Sequence, residues 1–446
     1  MKIKKLLTQA VLLTLILYGF YYLEHEIKRE NTLPLLSIFS LLFILLWYWA
    51  QHFNSLTNIF LLGVLSRAIF IFHIPELSQD FYRFIWDGSI QLLGVNPYIY
   101  TPEVLIAHIY FPNAQLLYES MGYLSAGNFS NYPPLSQYLF KIMGYFNKGD
   151  LLYPVLSLRI IYFTGEIIVF LLGTTLLKKI NQNPEHILWY FLNPLVIIEG
   201  IGNLHGEAFM ICFTLASILC LFHKKAVLGG LFMALAIATK LLPLLIVPLF
   251  FRFLNLRKFI FFSLSIFIFS LILWYPFWEE QMISNYRETI NLWFTSFEFN
   301  GSIYNVVRSI GYEVKGYNII QKVGKVTPFI TIGLVFIFTF LRSNRDLKSV
   351  LKSILFLLSS YFFIATTVHP WYIINLVILG VLTGYVYPIL WSLTVFWSYS
   401  AYGTEEFKEE LIWTLPAYLF VYTCFFYEIF KGALGEHLQK TNFFRV

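Results

Sequence analysis

Apolar residues gather along this chain into runs of about 14–25 positions, long enough to cross a bilayer or to dip into one. Full crossings are predicted at 6–23, 34–50, 56–74, 154–177, 187–204, 206–222, 259–277, 326–341, 353–368, 370–383, 387–401 and 411–430. The pair 226–239 and 240–251 is short and flanked on both sides by Lys224, Lys225, Arg252, Arg257 and Lys258. It reads as a helical hairpin dipping in from the cytoplasm, with Lys240 near its tip; two crossings would give the same parity. The runs lack the every-second-residue alternation of an outer-membrane barrel. The pattern therefore predicts an all-α polytopic membrane protein of about twelve transmembrane helices plus a short membrane hairpin. We read 1–446 as a single integral membrane domain: an N-terminal helical hairpin at 1–55, a core at 56–385, and C-terminal helices with a cytoplasmic tail at 386–446.

Lys and Arg are denser in the short loops that share a side with Lys2, Lys4 and Lys5. The positive-inside rule then puts both termini in the cytoplasm. Two long loops, 75–153 and 278–325, fall on the outer side, where most carboxylates also lie. Within the first, 80–94 and 134–147 have helical spacing of apolar residues, as in helices lying on a membrane surface. The first apolar run lacks a small-residue cleavage site and reads as a retained helix. No internal repeat is evident, which weakens a transporter reading.

Composition narrows the class. Of the residues, 58% are apolar and only 13% charged, about half the charge density of a soluble domain, with a mean hydropathy of +0.67. These values exclude an ordinary cytosolic protein and a disordered chain. The acidic outer face argues against nucleic acid despite a net charge of +6. Cys212, Cys220 and Cys424 sit inside apolar runs and read as small hydrophobes. No metal-site spacing, Walker loop or GxGxxG is present, so a nucleotide-driven mechanism has no support.

Polar residues at membrane depth are costly and mark function or pairing. Four clusters stand out, and the predicted topology puts all four at the outer face. In the first, Asp80, Arg83 and Asp87 lie at i, i+3 and i+7, so a helix gives them one face. Two carboxylates beside a guanidinium suit an acid/base centre; a surface ion-pair stripe would use the same residues, although Tyr82 and Trp86 interleave with the charges. Asn96, Tyr98 and Pro102 follow. Asn131-Tyr132-Pro133-Pro134 reads as a rigid aromatic turn. Glu199, Asn203 and Glu207 step by four, with His205 between the last two, yet Gly202 and Gly206 favour a tight hairpin over a continuous helix. His369, Trp371 and Tyr372 stand at a helix junction; an aromatic belt accounts for the last two but not for the histidine. Arg67, Arg159 and Glu166 read as structural. Lys240 either reaches a lipid phosphate or snorkels. Residues 298–305 form a polar outer loop able to cover a pocket.

Taken in order, these motifs resemble a known group. They are Asp80-x-x-Arg83-x-x-Trp86-Asp87-Gly88, Gly94-x-Asn96-Pro97-Tyr98-x-Tyr100-x-Pro102 and Asn131-Tyr132-Pro133-Pro134. Then come Asn193-Pro194-Leu195 with Glu199 and Gly202-Asn203-x-His205-x-Glu207, Ala238-Thr239-Lys240-x-x-Pro243, Asn300-Gly301-Ser302-Ile303-Tyr304 and His369-Pro370-Trp371-Tyr372. Between residues 60 and 375 or so, the chain resembles the bacterial polyprenyl-phosphate-sugar-dependent glycosyltransferases of the GT-C superfamily, mannosyltransferase-like branch. That resemblance implies a multi-pass fold, a lipid-linked monophosphate sugar donor, inversion at the anomeric carbon and a carboxylate base in an early outer loop. It implies Asp80 as general base, with Asp87 the second acidic candidate. The sugar it implies is mannose. Position 89 departs from the group, carrying Ser where a basic residue is common.

A polyprenyl-phosphate sugar is anchored in the membrane and already activated, so the expected reaction needs no nucleotide fold and no obligatory cofactor or metal. It needs a groove for the lipid tail and cations for the leaving phosphate; Arg83, His205, Lys240 and His369 are the candidates. Trp86, Tyr98 and Trp371 are candidates to stack on a sugar ring. Asn96, Asn131, Tyr132, Asn203, Glu207 and Tyr372 complete the expected donor site. The expected partners are the polyprenyl-phosphate-sugar donor, a glycan, lipid or protein acceptor, and the bilayer of the bacterial inner membrane, with the active site on the periplasmic side. Two alternatives remain open: ligase-type transfer of a preassembled glycan from a polyprenyl carrier, and a lipid or solute transporter.

Overall fold

The structure is a computed structural model that describes residues 2–403 and 407–434. Its main helices, in chain order, are α1 (Lys2–Glu26), α2 (Thr32–His52), α3 (Leu56–Ala68), α4 (Asp80–Leu92), α5 (Pro134–Phe146), α6 (Leu152–Lys179) and α7 (Glu207–Phe222). They continue with α8 (Ala226–Thr239), α9 (Leu256–Trp274), α10 (Ile303–Lys315), α11 (Ile320–Phe336), α12 (Leu347–Ile364), α13 (Ile374–Thr383) and α14 (Leu411–Leu434). Among the described residues there is no strand, only an isolated parallel bridge between Phe299 and Thr367. The expected cytoplasmic tail falls largely on 435–446, outside the described residues.

This is an all-α, multi-pass membrane protein. Seven helices among the described residues are long and apolar enough to cross a bilayer, or eight if the interrupted pair Pro194–Gly202 and Glu207–Phe222 counts as one span. The sequence pattern predicts about twelve crossings. The difference lies in apolar runs that form shorter helices, among them Leu56–Ala68 and Pro370–Thr383; the two limbs of the expected hairpin, Ala226–Thr239 and Leu242–Phe251, are short as well. At 1.5 Å per residue none of these four spans about 30 Å of hydrocarbon by itself. Proline accounts for part of this. Pro243 and Pro248 lie in the second limb of the hairpin, where each removes a backbone donor, and that limb is a 3₁₀ helix. Lys240 stands between the two limbs, as its position in the sequence suggests, with extended backbone.

The described residues divide into two compact units, each built from separated stretches of the chain. One comprises residues up to Ile71, Phe170–Gly202 and those from Val368 onward; the other comprises Phe72–Val169 and Asn203–Thr367. In the first, Arg67 is fully buried and donates to the carbonyls of Gly63 (3.0 Å) and Phe191 (2.8 Å), its guanidinium lying 4.2 Å from the Phe191 ring centre. Asn193 caps the segment that starts at Pro194, and its amide donates to Ser392 Oγ at 2.8 Å. The buried Glu199 carboxylate accepts from the Tyr399 hydroxyl at 2.8 Å. Arg67, Asn193 and Glu199 each have a buried polar partner, as a low-dielectric interior favours.

The second unit is organised by the crossing of α4 and α5. Gly88 and Gly144 face each other there: a Cβ on Gly88 would overlap the Phe140 carbonyl, and one on Gly144 would overlap the Gly88 backbone. Two helices can approach this closely only where both lack a side chain. Phe84 stacks on Phe140 beside the crossing, with ring centres 4.3 Å apart. Residues Arg83 to Ile90 of α4 are all buried, covered by α5 and by loop residues that include Phe111, Tyr118, Ser125 and Asn128.

A second device holds the 297–305 loop. The Phe299 amide donates to the Thr366 carbonyl at 3.1 Å, and Thr367 Oγ1 to the Phe297 carbonyl at 3.1 Å. Beside them Glu298 accepts from the Tyr304 hydroxyl, from Asn318 Nδ2 (3.0 Å) and from Arg308 (2.7 Å). Burial pushes the Glu298 carboxyl up, but these bonds and the Arg308 charge outweigh it and hold it below the ordinary 4.5.

This packing can be tested at two places. Gly144→Ala forces an overpacked backbone contact and should destabilise the protein by about 1–3 kcal/mol. Gly333→Ala, where the added Cβ meets nothing within 4 Å, should leave the melting temperature in detergent unchanged or raised; equal melting of both variants would contradict the crossing. Because Glu298 is depressed in the folded protein, its hold on the loop is complete above its ordinary value and lost as pH falls through its folded value. Hydrogen exchange at the Phe299 amide should speed up over that acid range, and Glu298→Gln should abolish the pH dependence.

Candidate active site

Asp80 opens α4, where the exposed amides and the helix dipole favour a carboxylate. Its backbone amide donates to Ser78 Oγ at 3.3 Å. The Asp80 side chain is 31% exposed, and one of its oxygens lies 3.7 Å from His205 Nε2, itself 2% exposed. The Tyr132 hydroxyl donates to the same carboxylate oxygen at 3.4 Å. Ser78 Oγ lies 3.3 Å from His205 Nε2. Three of the motifs read from the sequence, centred on residues 80, 132 and 205, therefore meet at one carboxylate.

Each partner is held from behind. Tyr132 sits edge-on to Phe84 and Phe140, and its carbonyl accepts from the buried Tyr98 hydroxyl at 2.6 Å. The neighbouring Asn131 carbonyl accepts from Tyr286 at 3.1 Å. Tyr98 is fixed in turn by Asn96, whose Oδ1 accepts from the Tyr98 amide (3.1 Å) and whose Nδ2 donates to the Phe277 carbonyl (2.8 Å) and Glu279 (2.9 Å). His205 follows Leu204, whose φ of +61° lies in the left-handed region. A leucine is held there at a cost of about 1–2 kcal/mol, strain of the kind that concentrates at functional sites. The continuous helix that would place Glu199, Asn203 and Glu207 on one face is absent: the chain breaks between Gly202 and Glu207.

Asp87 differs from Asp80 in every respect. It is fully buried; one oxygen accepts from Arg83 Nε at 2.7 Å and the other from Gln137 Nε2 at 2.9 Å. Arg83 also donates to the carbonyls of Ser125 and Asn128, while its Nη2 has no partner among the described residues. Gln137 further donates to Ser130 Oγ at 2.6 Å. Arg83, expected beside a donor phosphate, is thus committed to Asp87 and the loop carbonyls. Trp86 and Tyr98, expected to stack on a sugar, are enclosed: Trp86 packs against Phe111 and Tyr118, and Tyr98 against Trp274, Phe277 and Tyr286.

Lys240 forms an ion pair with Glu207. Glu207 opens α7 and is almost wholly buried, and its second oxygen has no partner among the described residues. Ser136 Oγ donates to the Thr239 carbonyl at 2.8 Å, tying α5 to the turn that carries Lys240. The Lys240 side chain remains 21% exposed. Asn203 is buried. His369, Trp371 and Tyr372 form their own aromatic group in the first unit, with the His369 ring stacked on Trp371 at 4.2 Å and edge-on to Tyr372. Among the described residues, no group of three or more His, Cys, Asp or Glu side chains stands where it would hold a metal ion.

Ser78, Gln137 and Tyr286 are not legible as site residues in the sequence. A signal exists for Gln137: it shares an apolar helical stripe with Phe140 and Gly144, where an amide must have a buried partner. Ser78 and Tyr286 carry no such pattern.

Known proteins share part of this chain. It is similar to alpha-(1->6)-mannopyranosyltransferase A of Corynebacterium glutamicum, 25% identical over 199 residues that make up 42% of this chain and 38% of that protein. It is also similar to alpha-(1->6)-mannopyranosyltransferase B of the same organism, 25% identical over 145 residues, 32% of this chain and 23% of that one. The matched stretch therefore spans well under half the length of either relative. The profile of the family described as alpha-(1->6)-mannopyranosyltransferase, N-terminal domain, matches residues 22–255. That range is more than half of the chain and holds Asp80, Tyr132, His205, Glu207 and Lys240, and with it the chain belongs to the alpha-(1->6)-mannopyranosyltransferase family.

Proposed function

We propose that this protein transfers mannose from a polyprenyl-phosphate donor to a glycan, lipid or protein acceptor at the outer face of the bacterial inner membrane, with both termini in the cytoplasm. The observation that carries this reading is Asp80: a partly open carboxylate at a helix start, touched by Tyr132 and His205, within the family-matched region.

In the proposed step the acceptor hydroxyl oxygen attacks the anomeric carbon from the face opposite the phosphate. A new carbon–oxygen bond forms as the bond to the phosphate oxygen breaks, and its electron pair leaves on the polyprenyl phosphate. The hydroxyl proton passes to the Asp80 carboxylate. One displacement gives inversion. Tyr132, by donating to Asp80, aims the carboxylate at the acceptor hydroxyl. Such general-base help contributes about 10²–10⁴-fold.

The leaving phosphate needs positive charge. Lys240 supplies it in this reading, exchanging part of its pairing with Glu207 for the phosphate, and His205 lies on the Asp80 side. Cationic side chains aimed at the developing charge make a metal unnecessary to the scheme. Arg83 and Asp87 serve here as a buried brace that fixes α4, not as reacting groups.

Purified protein given polyprenyl-phosphate mannose and a mannoside acceptor should yield a product heavier by one hexose. A product carrying a whole glycan would favour a ligase, and movement of substrate without a product a transporter. Asp80→Asn should lower kcat by about 10²–10⁴-fold with the fold intact. Asp87→Asn should instead lower stability, since removing one partner of a buried pair costs about 3–5 kcal/mol. A well-folded, inactive Asp87→Asn together with an active Asp80→Asn would reverse the assignment.

A further inference from the structure

Helix α10 is amphipathic in an inverted sense. Several polar residues face the protein: Tyr304 and Asn305 are buried, Arg308 binds Glu298, and Gly311 lies against Ile319, while Ser309 and Glu313 are exposed along one border of the outward face. Its apolar side faces outward. Ile303, Val306, Ile310 and Val314 fall on one stripe at helical spacing and are 45–68% exposed. In water this arrangement is unfavourable, because a surface helix turns its apolar stripe to the core. Exposure of this kind marks a surface that something covers.

Three features identify the covering medium as lipid. First, α10 is joined to α11 by only residues 316–319, with Gly316 in the left-handed region at φ +75°. Four residues reach at most about 14 Å, so α10 lies close to the membrane end of a spanning helix. Second, the outward apolar surface continues along α11 through Val326, Phe329, Ile330 and Ile332, all exposed. Third, the junction carries a basic and aromatic collar. Lys315, Lys322 and Lys325 are exposed, Lys322 Nζ donates to the Tyr317 hydroxyl at 2.9 Å, and Tyr317 is exposed. Lys and Tyr in this combination mark the headgroup level and suit anionic phosphates.

We propose that α10 lies in the headgroup layer with the Ile303, Val306, Ile310 and Val314 stripe seated in lipid, and that it thereby anchors the 297–305 loop at the membrane surface. The anchor is mechanical: Glu298 is bound by Tyr304 and Arg308 of α10 on one side, while Phe299 is bridged to Thr366–Thr367 on the other. Because this inference concerns lipid contact, it stands apart from the mannosyl-transfer reading, and its test needs no turnover.

The test uses the full chain with Cys212, Cys220 and Cys424 replaced by Ala. A single cysteine is placed at Val306, Ile310 or Val314, or at Tyr312 on the opposite side, and labelled with bimane. Each variant is reconstituted in vesicles of phosphatidylethanolamine and phosphatidylglycerol. Labels at the three stripe positions should shift to the blue and lose emission to nitroxides on shallow acyl positions, whereas the label at Tyr312→Cys should not. Three independent positions keep the test decisive if one variant fails to fold. Stripe labels that emit as in water would overturn the proposal. So would a blue shift insensitive to lipid nitroxides but dependent on protein density, which would assign the stripe to a second copy of the chain.

Discussion

The contact on which this site depends is the backbone crossing of α4 and α5 at Gly88 and Gly144. With no Cβ on either side, the two helices meet at main-chain distance. That closeness brings Gln137 to Asp87, and Asp87 in turn neutralises Arg83. The same crossing stacks Phe84 on Phe140 and gives Tyr132 two aromatic edges to rest on. Asp80, one turn ahead of Arg83 and Phe84, inherits its position from that arrangement. An open carboxylate is useful only if it is held still, and here a buried charge pair supplies the rigidity.

Two carboxylates on one short helix thus have opposite environments. Asp87 has both oxygens satisfied in the interior, where a lone charge would be prohibitively costly. Asp80 has a helix start, a tyrosine hydroxyl and a histidine around it, and is partly exposed. The same division recurs at Glu207 and Lys240, where a buried acid holds a partly exposed base. In each case a closed polar contact supports an open one.

Much of this is legible in the sequence, for identifiable reasons. The apolar runs force a helical membrane protein, and the helical spacing at 80–94 and 134–147 matches α4 and α5 to within a few residues. Asp80, Tyr132 and His205 stand out because polar groups amid apolar sequence need a reason to be there. Spacing alone, however, cannot separate Asp80 from Asp87: i, i+3 and i+7 put both on one face, and only the third dimension shows that α5 covers one of them. Trp86 and Tyr98 look like sugar platforms by residue type, yet packing encloses them. The long spans are fewer than the apolar runs because hydropathy does not register where prolines and short loops turn a run back.

The central claim is that Asp80 and the donor phosphate flank the anomeric carbon from opposite faces. An experimental structure with a non-transferable polyprenyl-phosphate mannose analogue tests it directly. The account predicts the phosphate against Lys240 and the anomeric carbon between it and the Asp80 carboxylate. A donor bound with its anomeric carbon out of reach of Asp80, or with Asp80 on the same face as the phosphate, would contradict it.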